Sequence, residues 1–311
     1  MVMVMVLFMF MPMFMVMFMA IHKIAGLGRS SPHHTPFFMR IVSLVPSLTE
    51  YLLDLGLGDQ VVGRTRFCIH PRDRVSRIDI VGGTKNPSLS KIRSLKPDLI
   101  VANREENRKE DIDTLQERVD GGSGPADVMV TQIRTVEEAL SEMMRIGRRC
   151  GREKEAQRWV REIQGVRPQS GDRGGALRSA EGSTQNGAHG RFQKIRVAYL
   201  IWRDPWMTIG SDTYIHSVLE EWGFQNIFSD QERYPVVTLE EIRRRHPACI
   251  LLSSEPFPFK EKHQTEIERA IPDTRAFLIN GEWTSWYGSR MKIGFQEMNA
   301  FRERVGNQLL L

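Results

Sequence analysis

LSKIRSLKPDLIVA (residues 89–102) and LEEIRRRHPACILL (residues 239–252) decide how this chain is built, because they are two versions of one unit. Aligned end to end, Leu89 lies over Leu239, Ile92 over Ile242, Arg93 over Arg243 and Pro97 over Pro247. In each copy a short amphipathic helix runs into a proline, which has no N–H to donate and clashes with the preceding turn, so the helix stops there. The apolar run that follows in each copy is too short for a helix and reads as a buried strand. Outward from this pair the match continues. RIVSLVP from Arg40 is a strand, like RVAYLIW from Arg196. SLTEYLLDLGLGDQVV from Ser47 is a helix leading into a second short strand, like SVLEEWGFQNIF from Ser217, with Leu53 over Leu219, Asp54 over Glu220 and, after one inserted residue, Gly56 over Gly223. Strand, helix and strand alternate in the same order twice. That pattern predicts two α/β lobes, each a parallel sheet covered by helices.

Several helix boundaries can be read directly. Ser47 and Glu50 have capping-box spacing, as do Thr135 and Glu138, and Gly56 stands where a helix C-terminus favours glycine. Between the lobes, TVEEALSEMMRIGRRCGREKEAQRWVREIQ has helical periodicity in Val136, Leu140, Met143 and Met144, then in Ala156, Trp159, Val160 and Ile163. Gly151 is expected to divide it into two helices, the second leading to lobe two. The organisation is thus an N-terminal extension (1–38), a first lobe (39–134), a helical connector (135–165), a disordered insertion rich in Gly, Ser and polar residues (166–193), and a second lobe (194–311). GGSGPAD at 121–127 reads as a shorter loop of the same character.

A chain of 311 residues with 41% apolar and 26% charged side chains is ordinary for a globular protein and long enough for two cores. The formal charge of +5 is too mild to indicate a nucleic-acid partner. Cys68, Cys150 and Cys249 are scattered without a CxxC pair, so neither a disulfide framework nor a structural zinc site is indicated. MVMVMVLFMFMPMFMVMFMA, residues 1–20, holds nine of the sixteen methionines and no charge. Two readings of it stand side by side: a signal or membrane anchor, which would place the protein in the periplasm or tether it outside the cytoplasm, and an upstream extension of a cytoplasmic chain that starts at Met39.

Enzyme signatures are missing from the sequence. GLGDQVVG at 56–63 ends a helix instead of opening one after a strand, so it is no dinucleotide loop, and the sequence contains no P-loop, HExxH or GxSxG motif. In open α/β sheets ligands bind beyond the C-terminal ends of strands, which directs attention to the loops after IVSLV, VVG, AYLIW and FLIN. Those loops are aromatic: Phe67 and His70 follow VVG, Trp202 and Trp206 follow AYLIW, and Trp283, Trp286 and Tyr287 follow FLIN. As a cluster these seven are the candidate ligand contacts, their faces suited to a flat or bulky organic ligand. For each tryptophan alone, core packing is an equal alternative. Cys68 and His70 are weak metal-ligand candidates, Cys68 reading first as a small buried hydrophobe. Asp204, Glu255 and Glu282 read as solvated or capping carboxylates, and His216 as structural.

At RIVSLVPSLTE, GRTRFCIHP, GGTKNPSLSKIRSLKPDLIVAN, YLIWRDPWMTIGSDTYIHSVLEEWGFQNIF and EWTSWYGSR, the chain resembles the helical-backbone substrate-binding proteins of ABC importers, in particular the receptors for cobalamin and related metal chelates. The likeness extends over about residues 39–164 and 194–300. It implies two Rossmann-like lobes with parallel sheets joined by a rigid helix, a periplasmic-binding-protein-like fold of class III. It also implies no catalysis and no intrinsic cofactor. The ligand would be cobalamin or another chelate, haem and ferric siderophores included, held between the lobes by a monomer and passed to an ABC permease. Phe67 stands where a first-lobe aromatic meets the corrin, and Trp283 where a second-lobe tryptophan does. The chain departs from the pattern at Thr84, where a further tryptophan is common, and at Ser90, where an acidic residue docks on the permease. Two rivals remain: a cytosolic two-lobed protein that stores, senses or processes a chelate, and a two-domain transferase using the cleft for a nucleotide sugar.

Overall fold

The computed structural model describes residues 38–117, 127–168 and 194–310. The N-terminal extension, the loop after Glu117 and most of the insertion therefore lie outside the described residues. The first lobe contains β1 (Ile41–Ser43), α1 (Pro46–Asp54), β2 (Val61–Arg64), α2 (Arg72–Val75), β3 (Asp79–Ile80), α3 (Leu89–Ser94), β4 (Leu99–Asn103), α4 (Lys109–Gln116) and β5 (Asp127–Thr131). All pairings are parallel and the order is β3-β2-β1-β4-β5. Next come the connector helices α5 (Val136–Arg149) and α6 (Glu153–Val166). The second lobe contains β6 (Ile195–Leu200), α7 (Tyr214–Glu221), β7 (Phe224–Asn226), α8 (Leu239–Arg244), β8 (Cys249–Ser253), α9 (Glu261–Ala270), β9 (Arg275–Ile279), α10 (Glu282–Ser285) and α11 (Arg290–Leu309). Its sheet is also parallel, in the order β7-β6-β8-β9. Asp127 opens β5 and so does not belong to the preceding loop, and Val166 ends α6 and so does not begin the insertion.

The internal repeat holds at the level of single backbone groups. Ser88 caps α3 by accepting from the Lys91 N–H, and Thr238 caps α8 by accepting from the Glu241 N–H. Both helices then end on a left-handed residue just before the proline, Lys96 with φ 47° and His246 with φ 48°. Gly56 and Gly223 occupy the equivalent left-handed turns after α1 and α7, with φ 78° and 71°. The Thr135–Glu138 capping box forms as expected. Its counterpart at Ser47 does not. Pro46, whose fixed φ suits the first helical position, pulls the start of α1 forward so that Val45 is the cap and Ser47 lies inside the first turn. Glu50 is thereby released for a different partner.

Two separate cores were expected, and the strands show why the arrangement differs. Side chains alternate across a strand, so each sheet has two apolar faces. Val42, Leu44, Ile100 and Ala102 point to a core confined to lobe one, and Ala198, Leu200, Ile250 and Leu252 to one confined to lobe two. The opposite faces, including Ile41, Leu99, Val101, Val197, Tyr199 and Leu251, join a single central core with α1, α5, α6, α7 and α11. Gly147 on α5 lets Ala156 of α6 approach to where a side chain would collide, so the connector is a tight helical hairpin. No helix among the described residues is long and apolar enough to cross a membrane.

Candidate functional site

Because both sheets are parallel, the loops after their strands converge on one edge of each lobe, and the two edges face each other across a cavity of about 670 Å³. The first lobe supplies Pro46 and Ser47 at the start of α1, Phe67 and Ile69 after β2, Thr84 after β3, and Glu105 and Glu106 after β4. The second supplies Trp202 and Met207 after β6, Tyr234 after β7, Glu255 and Pro256 after β8, and Ser285 and Trp286 after β9. Phe67 (52% exposed) and Trp202 (40%) offer open ring faces. A mostly apolar concavity with few polar groups is the form that small-molecule sites take.

A clasp of charged side chains links the lobes behind Trp286, over whose ring Arg290 sits. Arg290, at the start of α11, donates from Nε and Nη2 to both oxygens of Glu50 on α1, at 2.7 and 2.6 Å, and from Nη1 to Glu282 at 3.0 Å. Glu282 in turn meets His70 Nε2 at 3.0 Å, returning the chain of contacts to lobe one. A second link between the lobes is the bidentate pair of Arg233 with Glu105, a residue of the cavity wall. Glu255 faces the cavity, where its Oε1 accepts from the Ser285 hydroxyl at 2.6 Å and the Trp286 indole at 2.9 Å. Burial pushes the Glu255 carboxyl above the usual range, although those two donors pull the other way. Burial likewise raises Glu106, with Lys85 opposing it.

Of the seven candidate contacts, the structure brings Phe67, Trp202 and Trp286 to the cavity wall. His70 stands just behind, edge-on to Trp286 at 5.4 Å. Trp206 is turned away. The 202–207 loop closes as a tight bridge, with Met207 N–H donating to Trp202 and Ile201 N–H to Met207. That gives the wall position to Met207 and stacks Trp206 on Phe259 at 6.1 Å. Trp283 is also displaced from the wall, because residues 282–285 form a helical turn and not an extended loop. Its ring lies edge-on to Phe301 of α11 at 6.3 Å, and Gly294 admits the close packing. Tyr287 is buried beside Tyr214, lining a smaller space that adjoins the cavity.

Cys68 is enclosed, with Thr49 and Thr65 hydroxyls 3.0 and 3.2 Å from its sulfur. Among the described residues no three His, Cys, Asp or Glu side chains gather into a set able to hold a metal ion, so the geometry gives Cys68 and His70 no metal partners. Asp204 is solvated as expected, at 77% side-chain exposure. Glu255 and Glu282 are not: both are part-buried and tied to named partners. The repeat itself could have found two wall residues that were overlooked. The register that sets Leu89 over Leu239 also sets Glu105 over Glu255 and Thr84 over Tyr234, and all four line the cavity.

Comparison with known proteins matches residues 41–276 to a family described as periplasmic binding protein. The vitamin B12-binding protein of Pectobacterium carotovorum subsp. carotovorum is 24% identical, the alignment covering 83% of this chain and 86% of that one. An uncharacterized ABC transporter substrate-binding lipoprotein of Bacillus subtilis is 28% identical over 83% of this chain and 78% of its own length. Among solved structures, the periplasmic vitamin B12-binding protein BtuF of Vibrio cholerae superposes with a TM-score of 0.67 at 21% identity, covering 86% of this chain and 98% of BtuF. The two-lobed parallel-sheet architecture is therefore that of this fold.

Proposed function

This chain belongs to the periplasmic binding protein family, and on that premise we propose that it is a non-catalytic receptor that captures cobalamin or a related metal chelate between its lobes for an ABC importer. The observation that carries the reading is the wall itself: Phe67 and Trp202 present open aromatic rings to a cavity of about 670 Å³, which Trp286 also lines. Stacking on each face adds about 0.5–1.5 kcal/mol beyond burial of area. Tyr234 and Met207 extend the apolar wall, and Pro46 and Ser47 close it from lobe one. Trp283 and Trp206 support the site from behind, by packing on Phe301 and Phe259. His70 acts through Glu282 and Trp286, orienting the second-lobe wall.

Binding to such a receptor needs no intrinsic cofactor, and the chelate is cargo. A monomer presenting both lobes to a permease is the form this proposal gives it, located outside the cytoplasm. Titration calorimetry of the full-length chain with cyanocobalamin, haem and a ferric siderophore tests the reading. One-to-one binding of a chelate supports it, and no heat with any of the three overturns it. Fractionation of cells producing the full chain tests the location, since a protein recovered in the cytosol cannot feed an importer.

A further inference from the structure

The charge of the cavity carries information that the aromatic wall does not. Among the described residues, the lining includes three carboxylates, Glu105, Glu106 and Glu255, and no lysine, arginine or histidine. Glu105 is paired with Arg233. Neither Glu106, from lobe one, nor Glu255, from lobe two, forms an ion pair among the described residues. Lys85 acts on Glu106 without pairing with it, its Nζ donating to the Glu105 carbonyl at 2.5 Å, and His70, which acts on Glu255, is held by Glu282. Glu255 uses one oxygen for Ser285 and Trp286, leaving the other unmatched.

A second observation points the same way. Glu106 also borders a narrow space of about 90 Å³ that adjoins the cavity, shares Glu105, Ile215, Tyr234 and Ser285 with it, and is lined as well by the Arg233–Asp212 pair. Its wall includes Tyr287, which is 7% exposed and whose hydroxyl has no hydrogen-bond partner among the described residues. That space has room for about three waters or one amide-sized group. A ligand that fills the cavity strips water from both carboxylates, and each then requires a donor from the ligand or becomes a buried unpaired group, while the enclosed Tyr287 hydroxyl still lacks an acceptor.

We propose that Glu106 and Glu255 set the class of chelate this cleft takes: one fringed with neutral hydrogen-bond donors such as amides, an arm of which enters the space beside Tyr287, and not one fringed with carboxylates. The proposal rests on the chelate-receptor reading and narrows it. An amide N–H satisfies either glutamate and its carbonyl accepts from the Tyr287 hydroxyl, whereas a carboxylate arm in the space beside Tyr287 meets Glu105, Glu106 and Asp212, with Arg233 there already shared between Glu105 and Asp212. Burial raises both glutamates above the usual carboxylate range, opposed by Lys85 at Glu106 and by the Ser285 and Trp286 donors at Glu255.

The test compares affinities of the full-length chain for cyanocobalamin and for the same molecule with its side-chain amides hydrolysed to carboxylates, with haem as a third probe. The expected result is a preference of about tenfold or more for the amide form, and a ratio that falls towards one in the Glu106→Gln/Glu255→Gln variant, whose fold is verified by its melting curve. Equal affinity for the amide and carboxylate forms, tighter binding of haem, or an unchanged ratio in the variant would each overturn the proposal while leaving the chelate receptor standing. Failure of every chelate to bind would remove both.

Discussion

Replacing Arg290 with Met should expose how much of the fold depends on the clasp behind Trp286. The substitution keeps an unbranched side chain to pack on Trp286, over whose ring the guanidinium now sits at 5.2 Å, but it leaves Glu50 and Glu282 facing each other without their shared cation. Removing one partner of a buried ion pair costs about 3–5 kcal/mol, because the surviving charge is stranded. Here the three side chains keep 17, 11 and 18% exposure for Arg290, Glu50 and Glu282, so water partly rescues them, and a loss of about 2–4 kcal/mol is expected. For a chain of this size that corresponds to a Tm lowered by roughly 5–10 °C. Calorimetric melting of Arg290→Met, Glu50→Gln and the double variant would measure it. Glu50→Gln removes one of the two stranded charges, so the double variant should be more stable than the sum of the single losses implies, with a coupling above about 1 kcal/mol. A loss below about 1 kcal/mol for Arg290→Met, or strict additivity in the cycle, would refute the idea that this network ties α11 to lobe one.

The other expectations are more local. Trp286→Ala should weaken chelate binding by about tenfold or more in a titration, whereas Trp283→Ala should lower Tm through lost packing on Phe301 and change affinity little; the reverse pattern would show that the cavity wall has been misassigned. Glu255 is held above its ordinary 4.5 in the fold, so the native state binds its proton more tightly than the unfolded chain does, and stability falls as pH rises from about 4.5 through the raised value. Glu255→Gln keeps an acceptor for Ser285 and Trp286 and removes that fall, so its melting temperature should gain on the parent progressively above pH 4.5; parallel curves would contradict this. Gly82→Ala should destabilise by more than about 1 kcal/mol in urea melts, because Gly82 has φ 116° and an added Cβ would lie 2.8 Å from the Asn86 carbonyl oxygen.

The repeat made the fold legible because its markers are chemical and local. Ser88 and Thr238 as caps, and Pro97 and Pro247 as stops, need no tertiary context to act. The site was less legible for the opposite reason. Whether Trp206 or Met207 reaches the wall depends on the Trp202–Met207 bridge, and whether Trp283 or Trp286 does depends on one helical turn at 282–285. Neither is encoded in residue type. Glu282 and Glu255 read as solvated because a lone carboxylate near a strand end usually is; their partners lie far away in the chain, Arg290 and His70 for one, Ser285 and Trp286 for the other. Ser47 was misread as a cap because Pro46 competes for the same turn and prevails.

The central core has a consequence for how the protein is made. The strands described in lobe one have been synthesised by Thr131, yet the inner face of its sheet packs with helices that include α11, the last among the described residues. Tyr51 of α1 abuts Gly288, and Asp54 accepts from the Ser289 hydroxyl at 2.6 Å, so even the first helix waits for residues near the C-terminus. On a ribosome the N-terminal lobe therefore emerges with one apolar face finished and the other bare, for as long as it takes to translate the second lobe. Nascent chains arrested before Arg290 should accordingly be cut by protease within α1 and retained by holding chaperones, and chains released in full should be neither.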